Sequence, residues 1–116
     1  MSTLRVDTIQ DRVGTGQPDI DGVAKAWVNF NGTGTVAIRA SFNVSSITDN
    51  GTGNYTVNFT NAMTDANYCV QATGTDVTEA GVESAADMTT TTVKIRTHNS
   101  GGTAIDREVV SVTILR

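Results

Sequence analysis

The chain is expected to be all-β, an antiparallel β-sandwich or a Greek-key/jelly-roll-like barrel with an extended N-terminal arm. Three observations predict this. Apolar residues alternate at period two in several short stretches, and nowhere recur at i, i+3, i+4, i+7 over more than two turns. Thr is about a sixth of the chain, and Val and Ile fill most apolar positions, the chemistry of pleated, half-buried surfaces. Turns rich in Gly and Asn separate these stretches at short, regular spacing.

Residues 3–9 read as an extended arm, with Leu4 and Val6 on one side and Arg5 and Asp7 on the other. Asp11-Arg12-Val13-Gly14-Thr15-Gly16-Gln17-Pro18-Asp19 then has linker composition, so residues 1–22 are read as arm and linker and 23–116 as one β domain. A strand over Ala24–Phe30 would place Ala24, Ala26, Val28 and Phe30 on one face. Val36, Ile38, Ala40, Phe42 and Val44 form the longest alternation. Ser46–Asp49 and Tyr55–Phe59 flank Asn50-Gly51-Thr52-Gly53 and predict a hairpin with a type I′ turn at Asn50-Gly51. A further strand spans Asn67–Ala72. Residues 73–87 read as a long acidic loop with one helical turn near Glu79. Thr91–His98 and Arg107–Leu115 read as a last hairpin around Asn99-Ser100-Gly101-Gly102, with Val93 and Ile95 facing Val110, Val112 and Ile114. Asn-Gly-Thr-Gly occurs at both 31–34 and 50–53, which reuses turn chemistry between strands rather than marking a repeat unit.

Composition narrows the function. The chain has 116 residues, enough for one modest core, but only 5% are aromatic. Charged residues are 17%, against about 25% in an average domain, so the surface is polar but weakly charged. A net charge of −4 gives no electrostatic footprint for nucleic acid. No apolar run approaches the roughly 18 residues of a membrane span, so no membrane insertion is expected. The start Met1-Ser2-Thr3-Leu4-Arg5-Val6-Asp7 lacks the apolar core of a secretory signal. The five Asn-x-Ser/Thr sequons, at Asn31, Asn43, Asn50, Asn54 and Asn58, are therefore read as products of a Thr/Asn-rich sheet.

No residue set makes a convincing catalytic, cofactor or metal site. His98, Ser100 and Asp106 lie around one turn, without an oxyanion hole or a buried orienting carboxylate, and His98 reads as a solvent-facing strand end. It could hold a metal only with copies gathered on a symmetry axis. Asp76, Glu79, Glu83 and Asp87 form an acidic cluster, but the loop lacks the aromatic platform a sugar-cleaving subsite needs. Asp19-Ile20-Asp21-Gly22 lacks the downstream ligands of a calcium loop. Gly14-Thr15-Gly16 is too short for a phosphate loop. The lone Cys69 excludes an intrachain disulfide and reads as a small buried hydrophobe.

One long stretch resembles a known family. It runs Ala24-Lys25-Ala26-Trp27-Val28-Asn29-Phe30-Asn31-Gly32-Thr33-Gly34, continues through Thr35-Val36-Ala37-Ile38-Arg39-Ala40-Ser41-Phe42-Asn43-Val44, and ends with Ser45-Ser46-Ile47-Thr48-Asp49-Asn50-Gly51-Thr52-Gly53-Asn54-Tyr55-Thr56-Val57-Asn58-Phe59-Thr60. This resembles the terminal domain of tail-fibre proteins from tailed phages of aquatic bacteria, cyanophages among them. The opening Ser2–Gln10 is similar to the N-terminal segment of such proteins, and Val110–Arg116 to their chain terminus. The resemblance is weakest over 73–105. It implies a non-enzymatic virion structural protein, a homotrimer assembled in the bacterial host cytoplasm, with other virion proteins as partners. The separation of arm and domain by only 10–22, where such fibres commonly carry a long shaft, keeps a head decoration (cement) role open beside the tail-fibre role.

An arm of about 20 residues reaches at most roughly 65 Å. Leu4, Val6 and Ile9 are read as its virion-anchoring face, ordered by adding to a partner's sheet edge. The rival reading is a lectin-like receptor-binding tip, in which Asp76, Glu79 and Glu83 of the 73–87 loop touch a host surface glycan. An enzyme is the third.

Overall fold

Alternation at period two becomes two packed sheets. The computed structural model describes residues 2, 3, 5, 22–76 and 78–116. The arm residues Leu4, Val6 and Ile9, and the Asp19/Asp21 pair, lie outside these. Eight strands follow in order: β1 (Ala24–Asn31), β2 (Ala37–Phe42), β3 (Val44–Gly51), β4 (Asn54–Phe59), β5 (Cys69–Gly74), β6 (Thr78–Gly81), β7 (Thr92–Asn99) and β8 (Val110–Leu115). They form one sheet ordered β2-β1-β8-β5 and a second ordered β3-β4-β7-β6, every pairing antiparallel. This is an antiparallel β-sandwich. The only helical segment among the described residues is a 3₁₀ turn at Ala85–Asp87, capped by Ser84.

The core is the inward set of both sheets. Val28, Phe30, Val110, Val112 and Ile114 from the first meet Tyr55, Val57, Val93 and Ile95 from the second, all essentially inaccessible. Each such side chain contributes about 1.5–3 kcal/mol by leaving water. Phe30 and Tyr55 meet edge to face with centroids 5.1 Å apart, as do Phe59 and Tyr68 at 5.8 Å. Both tyrosine hydroxyls reach acceptors. Tyr68 Oη donates toward Thr89 O (2.8 Å) and Thr92 O (3.0 Å), and burial pushes its pKa up to about 12. Tyr55 Oη donates to Asp106 Oδ1 at 2.7 Å and lies 3.0 Å from Gly32 O. Burial first, and the Asp106 carboxylate second, raise its pKa well above the ordinary value.

Four expectations need correction. First, the alternation Val36–Val44 does not keep one phase. A bulge shifts the β1–β2 register, pairing Phe30 with Ile38 but Asn29 with Ala40 and Trp27 with Phe42. The extra residue, Arg39, reverses the pleat, so Ile38 packs on the core while Phe42 points outward. Asn43, at φ +56°, then turns the chain into the second sheet.

Second, the β3–β4 turn sits later than Asn50-Gly51. Gly51 pairs with Asn54, so Thr52-Gly53 are the turn residues, and the positive φ values fall on Gly51 (+126°) and Gly53 (+62°). Third, Thr91–His98 and Arg107–Leu115 are not hairpin partners. The Asn99 turn forms, with Gly102 N–H donating to Asn99 O (2.9 Å). The side of β7 facing away from β4 is taken by β6, however, and the chain crosses to place β8 between β1 and β5. Val93 and Ile95 therefore meet the β8 valines and Ile114 across the core rather than across a ladder. Fourth, the 73–87 segment is not all loop. Glu79 lies in strand β6, and the helical turn is at Ala85–Asp87.

Candidate functional site

The two outer faces differ in chemistry. On the second sheet, outward positions of β4 and β7 alternate with the core, putting Thr56 opposite Lys94 and Asn54 opposite Arg96. Asn58 Nδ2 donates to Ser46 Oγ (3.1 Å) and Thr48 Oγ1 (3.0 Å), and Asn50 Nδ2 to Thr56 Oγ1 (2.7 Å), a polar ladder over β3 and β4. The ion pairs Lys94–Asp87 (3.9 Å) and Arg96–Glu83 (3.2 Å) continue it.

At the β6 end lies a pocket of about 140 Å³, lined among others by Glu79, Gly81, Glu83, Arg96 and His98. Pairing of β6 with β7 sets Glu79 opposite His98 and Gly81 opposite Arg96. Glu83, in the following loop, meets Arg96 Nε at 3.2 Å and His98 Nε2 at 3.4 Å. Arg96 Nη1 is buried and has no hydrogen-bond partner among the described residues. The pocket can offer that N–H and the remaining acceptor capacity of the Glu79 and Glu83 carboxylates to a small polar group, such as a sugar hydroxyl.

Of the three loop acids singled out in the sequence, Glu79 and Glu83 are thus brought together. Asp76 is not. It takes φ +63° and pairs with Arg107 at 3.5 Å. His98 is three-quarters buried beside Glu83 rather than solvent-facing. Asp106, the nominal triad acid, accepts instead from Tyr55 Oη and from Gly53 N–H (2.8 Å). Among the described residues no three His, Cys, Asp or Glu side chains are gathered to hold a metal ion.

The first sheet's outer face carries two rows of neutral residues, with the Arg39 guanidinium beside them at 3.3 Å from Asn29 Oδ1. Register sets Phe42, Trp27, Thr113 and Gln71 in one cross-strand row, and Ala40, Asn29, Ser111 and Thr73 in the next. Neither row contains a charge. Trp27 is 39% and Phe42 42% exposed, and Val23, where the chain enters β1, is 37% exposed. Cys69 is exposed too, on this face opposite Leu115, so the buried residue of that strand start is Tyr68 and not the cysteine.

Trp27 is a functional candidate that pattern reading missed, although its signal was present. An inward set of Ala26, Val28 and Phe30 forces the intervening Trp27 outward. Phe42 had no such signal, because its phase depends on the bulge.

No protein-family model, curated protein or solved structure matches the chain.

Proposed function

We propose that this chain is a non-enzymatic structural module of a tailed-phage virion, self-associating as a trimer and anchored by its N-terminal arm, in a tail fibre or as a head decoration. The observation that carries the reading is the resemblance over 24–60 to tail-fibre terminal domains. Support comes from the uncharged rows on the first sheet's outer face, with Trp27 and Phe42 exposed. A weakly charged, apolar-centred surface suits packing against protein better than steering of a charged ligand. Its site of action would be the virion, assembled in the bacterial cytoplasm, with other virion proteins at Leu4, Val6 and Ile9.

The test is quantitative mass spectrometry of purified particles. Few copies per particle indicate a fibre, many indicate a decoration, and absence from particles overturns the reading.

A second reading has its own observation. The pocket at Glu79, Glu83, Arg96 and His98, with an Arg96 Nη1 that has no partner among the described residues, favours a receptor-binding tip that takes a host surface glycan. Titration of host polysaccharide against the wild type and Arg96→Gln decides it. Binding that weakens at least tenfold in the variant supports the tip, and no binding by the wild type removes it.

A further inference from the structure

We infer that the outer face of the β2-β1-β8-β5 sheet is the contact surface between copies of this chain, with Trp27 and Phe42 as its anchors. The inference rests on the self-association in the reading above and names the surface responsible.

Charge separates the two outer faces. The second sheet carries Lys94, Arg96 and His98 with their carboxylate partners. On the first sheet, the rows through Trp27 and Asn29 carry none, and the guanidinium of the neighbouring Arg39 folds onto Asn29 Oδ1 (3.3 Å) and Glu108 O (2.7 Å). For a chain of net charge −4, a face with two uncharged rows and the Arg39 cation beside them is one a second copy can approach with little repulsion.

Apolar exposure is concentrated on the same side. Trp27 and Phe42 are direct cross-strand partners, and the third exposed large hydrophobe, Val23, lies at the entry to β1. Paired exposed aromatics beside uncharged rows have the composition of an interface core. Position agrees as well. Gly22 N–H donates to Arg116 O (3.1 Å), so β1 is entered at the border of this face, beside Ala24 and Leu115. A copy docked there lies next to the point where the proposed arm joins the domain.

Size sets the strength. Four strands at about 4.8 Å spacing and six residues at about 3.3 Å each give roughly 400 Å² in plan. That is about half of what each partner contributes to a standard interface, so the face alone is expected to associate in the micromolar range.

The experiment is sedimentation velocity of the full chain from about 1 to 300 µM, with the emission of Trp27, the sole tryptophan, recorded over the same range. The wild type should associate, and its emission should shift to the blue as it does. Thr113→Arg, a charge planted beside Trp27, should weaken association at least tenfold, and Trp27→Thr should act likewise. Thr56→Arg, the same change on the second sheet's outer face, should leave it intact. Melting curves confirm that each variant is folded, and Trp27→Thr stands in if Thr113→Arg is not.

Association that survives both Thr113→Arg and Trp27→Thr overturns this surface while leaving self-association standing. A wild type monomeric across the whole range overturns both. A Trp27 emission shift on adding host polysaccharide, with no shift on concentration, overturns the surface in favour of a glycan platform. Absence from purified particles removes the virion role without touching the surface.

Discussion

Gly53 is constrained by its backbone angle, its hydrogen bonds and its neighbours at once. Its φ is +62°, its N–H donates to Asp106 Oδ1 at 2.8 Å, and its carbonyl accepts from Thr97 N–H at 3.0 Å. A Cβ there would run into Thr97 O and stand 2.8 Å from Ile105 N. Left-handed backbone costs a non-glycine residue about 1–2 kcal/mol, and crowding in a filled site about 1–3 kcal/mol. Gly53→Ala should therefore lose about 2–5 kcal/mol, summing those two costs. Gly51, at φ +126° with open space around it, should lose only the backbone strain of about 1–3 kcal/mol on Gly51→Ala. Urea unfolding of the two variants measures the difference, and equal losses would mean that the crowding at Gly53 relaxes freely. Asp65 provides a residue-scale test by pH. Arg116 grips it from Nε (3.1 Å) and Nη2 (2.7 Å), and Asn67 N–H adds a third bond at 2.9 Å. The Arg116 bond first, and the Asn67 N–H second, hold its pKa at about 2 against an ordinary 3.8. A carboxyl whose folded pKa is depressed stabilises the fold above its unfolded value and loses that contribution as pH falls toward the folded one. The melting temperature of the wild type should thus drop more steeply than that of Asp65→Asn between pH 3.8 and about 2. Parallel curves would show that the Arg116 grip does not bear on stability.

Asn43 governs the passage between the sheets. At φ +56° it sits in the left-handed region that asparagine tolerates better than most residues. Its Nδ2 donates to Lys25 O and Asn61 O, each at 3.1 Å, and its Oδ1 accepts from Asn61 N–H at 2.7 Å. Asn43→Gly keeps the backbone and loses the three bonds, about 1–2 kcal/mol at partly solvated groups. Asn43→Ala adds the left-handed cost of about 1–2 kcal/mol. Denaturation midpoints should fall in the order wild type, Gly, Ala, and a Gly variant as stable as the wild type would show the side-chain bonds to be replaceable by water. The same corner shows how far elements are legible in sequence. The first strand from Ala26 onward, β4 and the β8 valines follow from alternation, because each keeps one buried face, whereas a bulge before Ala26 takes Ala24 out of phase with it. The β2 phase does not. A bulge adds one residue without changing the apolar pattern, so Val36 through Val44 reads as one face while the backbone presents two. Strand β6 was hidden by small and acidic residues that form an edge only because β7 offers a free ladder. With it went the meeting of Glu83, Arg96 and His98, which depends on β6–β7 pairing and not on spacing along the chain. The supposed last hairpin failed for a related reason. Sequence shows which residues face a core but not from which sheet, and a sandwich lets two inward faces meet without pairing.

At the scale of the whole molecule, the question is what residues 1–21 add to the domain. The two sheets close a core whose members run from Ala26 to Ile114, and β1 begins at Ala24 in register with Leu115. Gly22 is already tied to the end of β8 through Arg116 O. A chain that starts at Gly22 therefore keeps every described strand, the Phe30–Tyr55 and Phe59–Tyr68 pairs, and the Tyr55–Asp106 bond that holds Gly32 and Gly53 together. Deleting residues 1–21 should change unfolding free energy by less than about 1 kcal/mol, which for a domain of this size is a shift of a few degrees in Tm. The truncated chain should also keep associating through the Trp27 face, because that face belongs to β1 and its neighbours. What it should lose is incorporation into particles, since Leu4, Val6 and Ile9 are the residues proposed to pair with a foreign sheet edge. The competing possibility is that these residues supply a further strand to this domain's own sheets, at β2, β5, β3 or β6, the four strands that end them. Removing such a strand would expose a ladder and its apolar cover, and the domain would melt far earlier or aggregate. Thermal unfolding of residues 22–116, followed by complementation of particle assembly with the truncated chain, separates the two. A stable domain that no longer enters particles identifies the arm as an anchor, whereas a domain that falls apart makes it part of the sandwich.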